Sequence, residues 1–124
     1  MQPLSQNAVR ILLHLVRHLP NVIPGDPGTY LGYRQVHQAL GLELVARTWG
    51  QSLKEHGLAE LAEWAKAHGT PAITGVLVNQ DSFEPGEGFF KLYCNPVNKY
   101  QWWEEQVALA KTYDWDAITK PDEL

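Results

Sequence analysis

An α+β domain built around two short helices and a tight turn is what this sequence predicts. Three observations carry the prediction. Apolar residues recur at helical spacing over residues 5–68, Gly41 breaks that pattern in the middle, and after Pro71 the period changes to a β-branched apolar run. With 124 residues the chain has the length of one domain, large enough to bury a core without staples.

Ser5 is suited to cap a first helix over 5–19, with Val9, Leu12, Leu13, Val16 and Leu19 as its apolar stripe. Residues 20–32 contain Pro24-Gly25-Asp26-Pro27-Gly28 and read as a loop. A helix then starts at Tyr33, with Val36, Ala39 and Leu40 on one face, and Gly41 turns the chain. A second helix is expected from near Glu43 to His56-Gly57, carrying Val45, Ala46, Trp49 and Leu53 inward. Helix, turn and helix over about 33–55 make a helix-turn-helix, which can offer the outer face of its second helix to the major groove of DNA.

Residues 58–68 read as an extra helix with Leu58, Leu61, Ala62 and Ala65 inward and Gly69 as its stop. Residues 72–78 and 89–93 read as two strands of a β-hairpin, about 72–93, whose tip holds Pro85-Gly86-Glu87-Gly88. Gly86 and Gly88 are expected there to supply positive φ. Asn98 can cap a C-terminal helix over about 98–112, followed by a tail anchored by Trp115. The sum is a single winged-helix-like domain spanning 1–124.

Hydrophobic residues make up 44% of the chain and charged residues 19%, the balance of a folded globular protein. No apolar run approaches the roughly 18 residues of a membrane span, and no signal-peptide pattern opens the chain, so a cytoplasmic location is expected. Cys94 alone makes neither a disulfide nor a multi-cysteine zinc site. The formal net charge of −4 argues against indiscriminate coating of nucleic acid. Its distribution is uneven: residues 1–57 are net +2 and hold every arginine, whereas residues 58–124 carry five lysines against eleven acids. Arginine suits phosphate and base-edge contacts, so a DNA-facing amino-terminal half follows.

His14 and His18 stand one helical turn apart but have no third ligand, and with Arg10 and Arg17 they read as a solvated face. No lysine-serine pair follows Gly86 and Gly88, so they form no phosphate loop. Glu84 and Glu87 flank the expected tip as ordinary turn acids. Trp102 and Trp103 lie about 100° apart on a helix, so one is expected in the core and one at an edge.

Residues 23–53 resemble the DNA-binding domain of alkylguanine-DNA alkyltransferases and alkyltransferase-like proteins. Ile23-Pro24-Gly25 lies in the loop, and Tyr33, Val36, Gly41, Ala46, Arg47, Gly50 and Leu53 follow that pattern without a gap. The resemblance implies that Tyr33 presses on a phosphate and that Arg47 fills the stack behind a flipped nucleotide. It stops at the reactive Pro-Cys-His-Arg motif, where this chain has Pro71-Ala72-Ile73-Thr74. Without a thiolate there is no acceptor for an alkyl group. A generic winged helix carries the same helix-turn-helix punctuation.

The sequence therefore predicts non-catalytic binding of double-stranded DNA, with no metal and no cofactor. Arg47 and Gln51 are placed to reach bases, and Lys54, Arg34 and Tyr33 to hold phosphates. The alternative is a protein-interaction module that docks through Trp102 or Trp103 on the acidic carboxy-terminal half.

Overall fold

A computed structural model of the chain describes residues 4–119. The described chain is an α+β structure, mostly helical, with one two-stranded sheet. In chain order the elements are α1 (Gln6–His18), β1 (Leu31–Gly32), α2 (Tyr33–Ala39), α3 (Trp49–Leu53), α4 (Ala59–His68), β2 (Leu77–Val78), α5 (Glu87–Leu92), α6 (Lys99–Thr112) and α7 (Asp116–Thr119). No helix among the described residues is long and apolar enough to cross a membrane.

Ser5 caps α1, its hydroxyl accepting from the Ala8 N–H. The buried stripe of that helix is Ala8, Ile11, Leu12 and Leu15, continued by Leu19. It is rotated from the expected one: Val9, Leu13 and Val16 are only half-buried. The rotation follows from what α1 packs against, because Gly57 brings its backbone onto Ala8, and a Cβ there would stand 2.9 Å from the Ala8 nitrogen. On α2 the buried face is Tyr33, Val36 and His37, while Ala39 is exposed.

The second helix of the expected helix-turn-helix begins later than Glu43. Gly41 turns the chain with φ +66°, and residues 42–48 then run without regular structure to Thr48, which caps α3 by accepting from the Gln51 N–H. The buried Ser52 hydroxyl takes the Val45 N–H at 2.9 Å and reaches the Glu43 carbonyl at 3.4 Å. These backbone groups are satisfied sideways, so they need no helix. The helical path breaks at Gly57, as expected, because that residue leaves helical φ/ψ. A wide turn over Lys54–Leu58 carries it into α4, with Gly57 at φ +131° absorbing the bend.

The expected hairpin is absent from the described residues. β2 pairs in parallel with β1, Leu31 opposite Leu77 and Gly32 opposite Val78, and residues 73–76 before it form a tight helical turn. Residues 89–93 belong to α5 and its end. Phe89 and Phe90 are both buried, against Trp102 and Trp103, an arrangement that neighbours on a helix reach and neighbours on a strand cannot. Residues 79–84 fold back as a loop closed by Asn79 N–H to Glu84 C=O and Phe83 N–H to Asn79 C=O. The described residues thus form no wing. Gly86 and Gly88, expected to supply positive φ at the hairpin tip, have none.

The C-terminal helix starts after Asn98, as expected, although that residue makes no side-chain cap and holds φ +55°. Trp115 is buried and its indole N–H donates to the Ala110 carbonyl, anchoring the chain past α6. The rest of the expected tail, 120–124, lies outside the described residues.

Gly57→Ala should cost about 2 kcal/mol or more, because it adds a Cβ at positive φ and against the α1 backbone. Urea unfolding measures it. Gly41→Ala is the control: it shares the positive φ but meets no atom within 4 Å, so it should cost less.

Candidate functional site

The face that matters is assembled from chain segments far apart in sequence. β1 delivers Tyr33 at the start of α2, and the Gln35 side chain accepts from the Gly32 N–H to fix that start. Tyr33 is 8% exposed, and its phenol oxygen accepts the Gly86 N–H at 2.9 Å across 53 positions. Burial raises the phenol's pKa, so it stays protonated and can still donate one hydrogen bond. The role expected for Tyr33 as an open phosphate contact is thereby narrowed: its oxygen is already engaged, and its ring is a wall.

That wall separates two concavities. On one side is a cavity of about 230 Å³ lined mainly by apolar atoms, with Tyr33, Leu58, Ala62, Thr74 and Phe89 among its walls and Lys54 beside Gly86 and Gly88. A Cβ on Gly88 would stand 3.2 Å from the Lys54 ammonium, so the bare glycine lets that side chain lie close. The Thr74 hydroxyl is buried there with no hydrogen-bond partner. An orphaned hydroxyl in a cavity wall is a place where a ligand atom gains a hydrogen bond that the protein does not make for itself.

On the other side is an open groove lined by Tyr33, Arg34, Arg47, Thr48, Trp49 and the stretch 78–81. Arg34 lies over the Trp49 ring at 5.3 Å, which orients its guanidinium without neutralising it. Arg47 is exposed on the irregular stretch before α3, so Arg47 and Gln51 are not one turn apart on a helix as the sequence suggested. Gln51 is exposed on α3 and lines neither concavity. Val45, expected inward, is about half exposed (47%), as is Leu44 (49%) on the same stretch. Among the described residues, no carboxylate stands within ion-pair distance of Arg34, Arg47 or Lys54, although Asp81 and Glu63 sit on the rims.

Behind this face lies a polar node that sequence reasoning passed over. His37 is fully buried and its Nε2 is 2.8 Å from the Ser52 hydroxyl, the same group that holds Val45. His56 donates from Nε2 to the Glu43 carbonyl. The signals were present: His37 follows Tyr33 by four positions on the inward face of α2, and Ser52 interrupts an apolar stripe. Thr74 is likewise the one hydroxyl in the run 72–78.

The other candidates are placed elsewhere. Trp103 is in the core, its indole N–H donating to the Gly75 carbonyl at 2.7 Å. Trp102 is half-buried against Phe89, Phe90 and Tyr93, so neither ring stands clear as a docking anchor. His18 binds the Thr29 carbonyl, and no group of metal-ligating residues occurs among the described residues. Glu84 accepts from the Tyr100 hydroxyl, and Glu87 pairs with Lys91. Cys94 is exposed beyond α5 and does not line the cavity.

Compared with protein-family models, with curated proteins and with solved structures, the chain matches none.

Proposed function

We propose that this chain binds double-stranded DNA without catalysis, through the face around Tyr33. The observation that carries the reading is the convergence of Arg34, Arg47 and Lys54 around one tyrosine, each from a different segment and none in an ion pair among the described residues. Cations left without carboxylate partners on one face of an acidic chain favour a polyanion at that face. The route differs from a conventional recognition helix. Arg47 reaches out from an irregular stretch, and α3 is a five-residue helix behind it.

The resemblance to the alkyltransferase-like domain supplies the second element of the reading. It implies a nucleotide turned out of the duplex, with Arg47 in its place, and the cavity behind Tyr33 shares that wall with the groove that holds Arg47. A base there would meet apolar walls and the unpartnered Thr74 hydroxyl, and its phosphate would lie near Lys54 at the mouth. Alkyl transfer is not part of the proposal, since Ala72 stands where the reactive cysteine would be. Docking of a protein through Trp102 or Trp103 is the weaker reading, because both rings are committed to packing.

The test is an anisotropy titration with a mixed pool of short duplexes at low and moderate salt. Binding should weaken as salt rises, and Arg47→Ala and Lys54→Ala should each weaken it and lower the salt slope by about one. No binding at low salt, or full affinity in Arg47→Ala, would sink the proposal.

In the same assay Trp102→Ala should lower the unfolding midpoint and leave DNA affinity unchanged. A folded Trp102→Ala protein that no longer binds would place the interface on the carboxy-terminal half instead.

A further inference from the structure

The cavity behind Tyr33 has the features of a small-molecule site in its own right, apart from any duplex. Its volume of about 230 Å³ is roughly one and a half times that of a cavity of about 150 Å³ that holds benzene. One six-membered ring with a short arm is the size of occupant it has room for. The rings of Tyr33 and Phe89 belong to its walls, and Leu58, Ala62 and Leu92 add aliphatic surface. Phe89 is a fixed wall: it is buried, and a Cβ on Gly75 would stand 2.7 Å from its Cζ.

Three polar groups interrupt this apolar lining, and each has a hydrogen bond left to make. Thr74 is 5% exposed, and its hydroxyl has no hydrogen-bond partner among the described residues. A valine of the same shape would avoid the cost of burying that hydroxyl unpaired. The Tyr33 oxygen accepts from Gly86 and can still donate its own hydrogen to a further acceptor. The Lys54 ammonium has no carboxylate within ion-pair distance among the described residues. The phenol and the ammonium share one edge of the cavity, since the Cβ position of Gly86 lies 3.6 Å from the phenol oxygen and 3.9 Å from the ammonium. Glu63 also belongs to the lining, but it is exposed on the rim, where water weakens its opposition to an anion.

We infer that this cavity takes a free monocyclic aromatic carboxylate: the carboxylate at the Tyr33–Lys54 edge, the ring between the apolar walls, and a ring hydroxyl against Thr74. Each part of the ligand answers a group on the page. A carboxylate accepts from both the phenol and the ammonium, and the second bond is charge-assisted. The ring fills the space between Tyr33 and Phe89, and the hydroxyl gives Thr74 the partner it lacks. A neutral aromatic would leave Lys54 unpaired, and a small acid without a ring would leave the walls unfilled.

Occupancy has a consequence for the face next to it. The ligand and a base turned out of a duplex would need the same recess, and the ligand would also neutralise Lys54. An aromatic carboxylate should therefore compete with DNA. This consequence rests on the DNA-binding proposal, but the ligand site does not.

Amide chemical-shift titration of the whole chain without DNA tests the site. The probes are phenylacetate, its ring-hydroxylated derivatives, acetate and 2-phenylethanol. A ligand of about ten non-hydrogen atoms should show a Kd in the millimolar range or tighter. Phenylacetate should saturably shift amides over 58–63, 74 and 86–89, and acetate and 2-phenylethanol should bind at least about tenfold more weakly. One hydroxylated derivative should bind more tightly than phenylacetate. Lys54→Met should bring phenylacetate to the level of 2-phenylethanol and leave the alcohol unaffected. Thr74→Val should remove the advantage of the hydroxylated derivative and raise the unfolding midpoint of the free protein. The inference is overturned by no saturable shift at about 10 mM of any aromatic acid, by equal affinity for phenylacetate and 2-phenylethanol, or by shifts centred on Arg34 and Arg47. Should a variant fail to fold, the probe series on the wild type decides by itself. A duplex titration with and without the acid separates the two claims. Acid binding in a protein with no DNA affinity leaves the ligand site standing and removes the DNA proposal; DNA binding in a protein that takes no acid does the reverse.

Discussion

The pairing of Leu31–Gly32 with Leu77–Val78 is the joint on which the rest of this structure depends. Two residues from each segment are a minimal sheet, and all four are buried. The pairing joins the helical amino-terminal part to the α5–α6 part across more than forty positions. Because Tyr33 follows β1 directly, the joint also fixes where the phenol points. Gly86 then closes the arrangement from the far side by donating to it. A slip of one residue in this register would turn Leu31 and Leu77 out of the core and carry Tyr33 away from both concavities.

The helices that rest on local signals were legible in the sequence. Ser5 with its apolar repeat gave α1, Gly69 stopped α4, and the segment after Asn98 gave α6. Three features were not legible because distant partners decide them. Phe89-Phe90-Lys91-Leu92 has the composition of a strand, but two tryptophans of α6 offer it a helix-shaped berth. The run 72–78 is rich in β-branched residues, yet only its last two residues find a strand to pair with. Residues 42–48 have apolar periodicity, but Ser52 and His56 satisfy their backbone without a helix. For the site, the cation types were readable from the sequence. Their convergence on Tyr33, the cavity behind it and the His37 node depend on tertiary placement.

The physical picture is of an exposed cationic surface supported by a tightly bonded interior. Arg34 is aligned by Trp49, Lys54 lies close over Gly88, and Arg47 stands on a stretch held by serine and histidine. Among the described residues, none of the three cations is spent on an ion pair. Such preorganisation reduces the ordering cost of binding, which matters for a chain whose net charge of −4 gives no general attraction to nucleic acid. Acids on the rims, Asp81 and Glu63, would confine a polyanion to the central strip.

The measurement that bears most directly on this account is an amide chemical-shift map of the protein titrated with a short DNA duplex at low salt. The account predicts a contiguous footprint over residues 33–34, 44–54 and 86–88, with α6 unchanged. Perturbation centred on α6, or none at all at millimolar duplex, would contradict it.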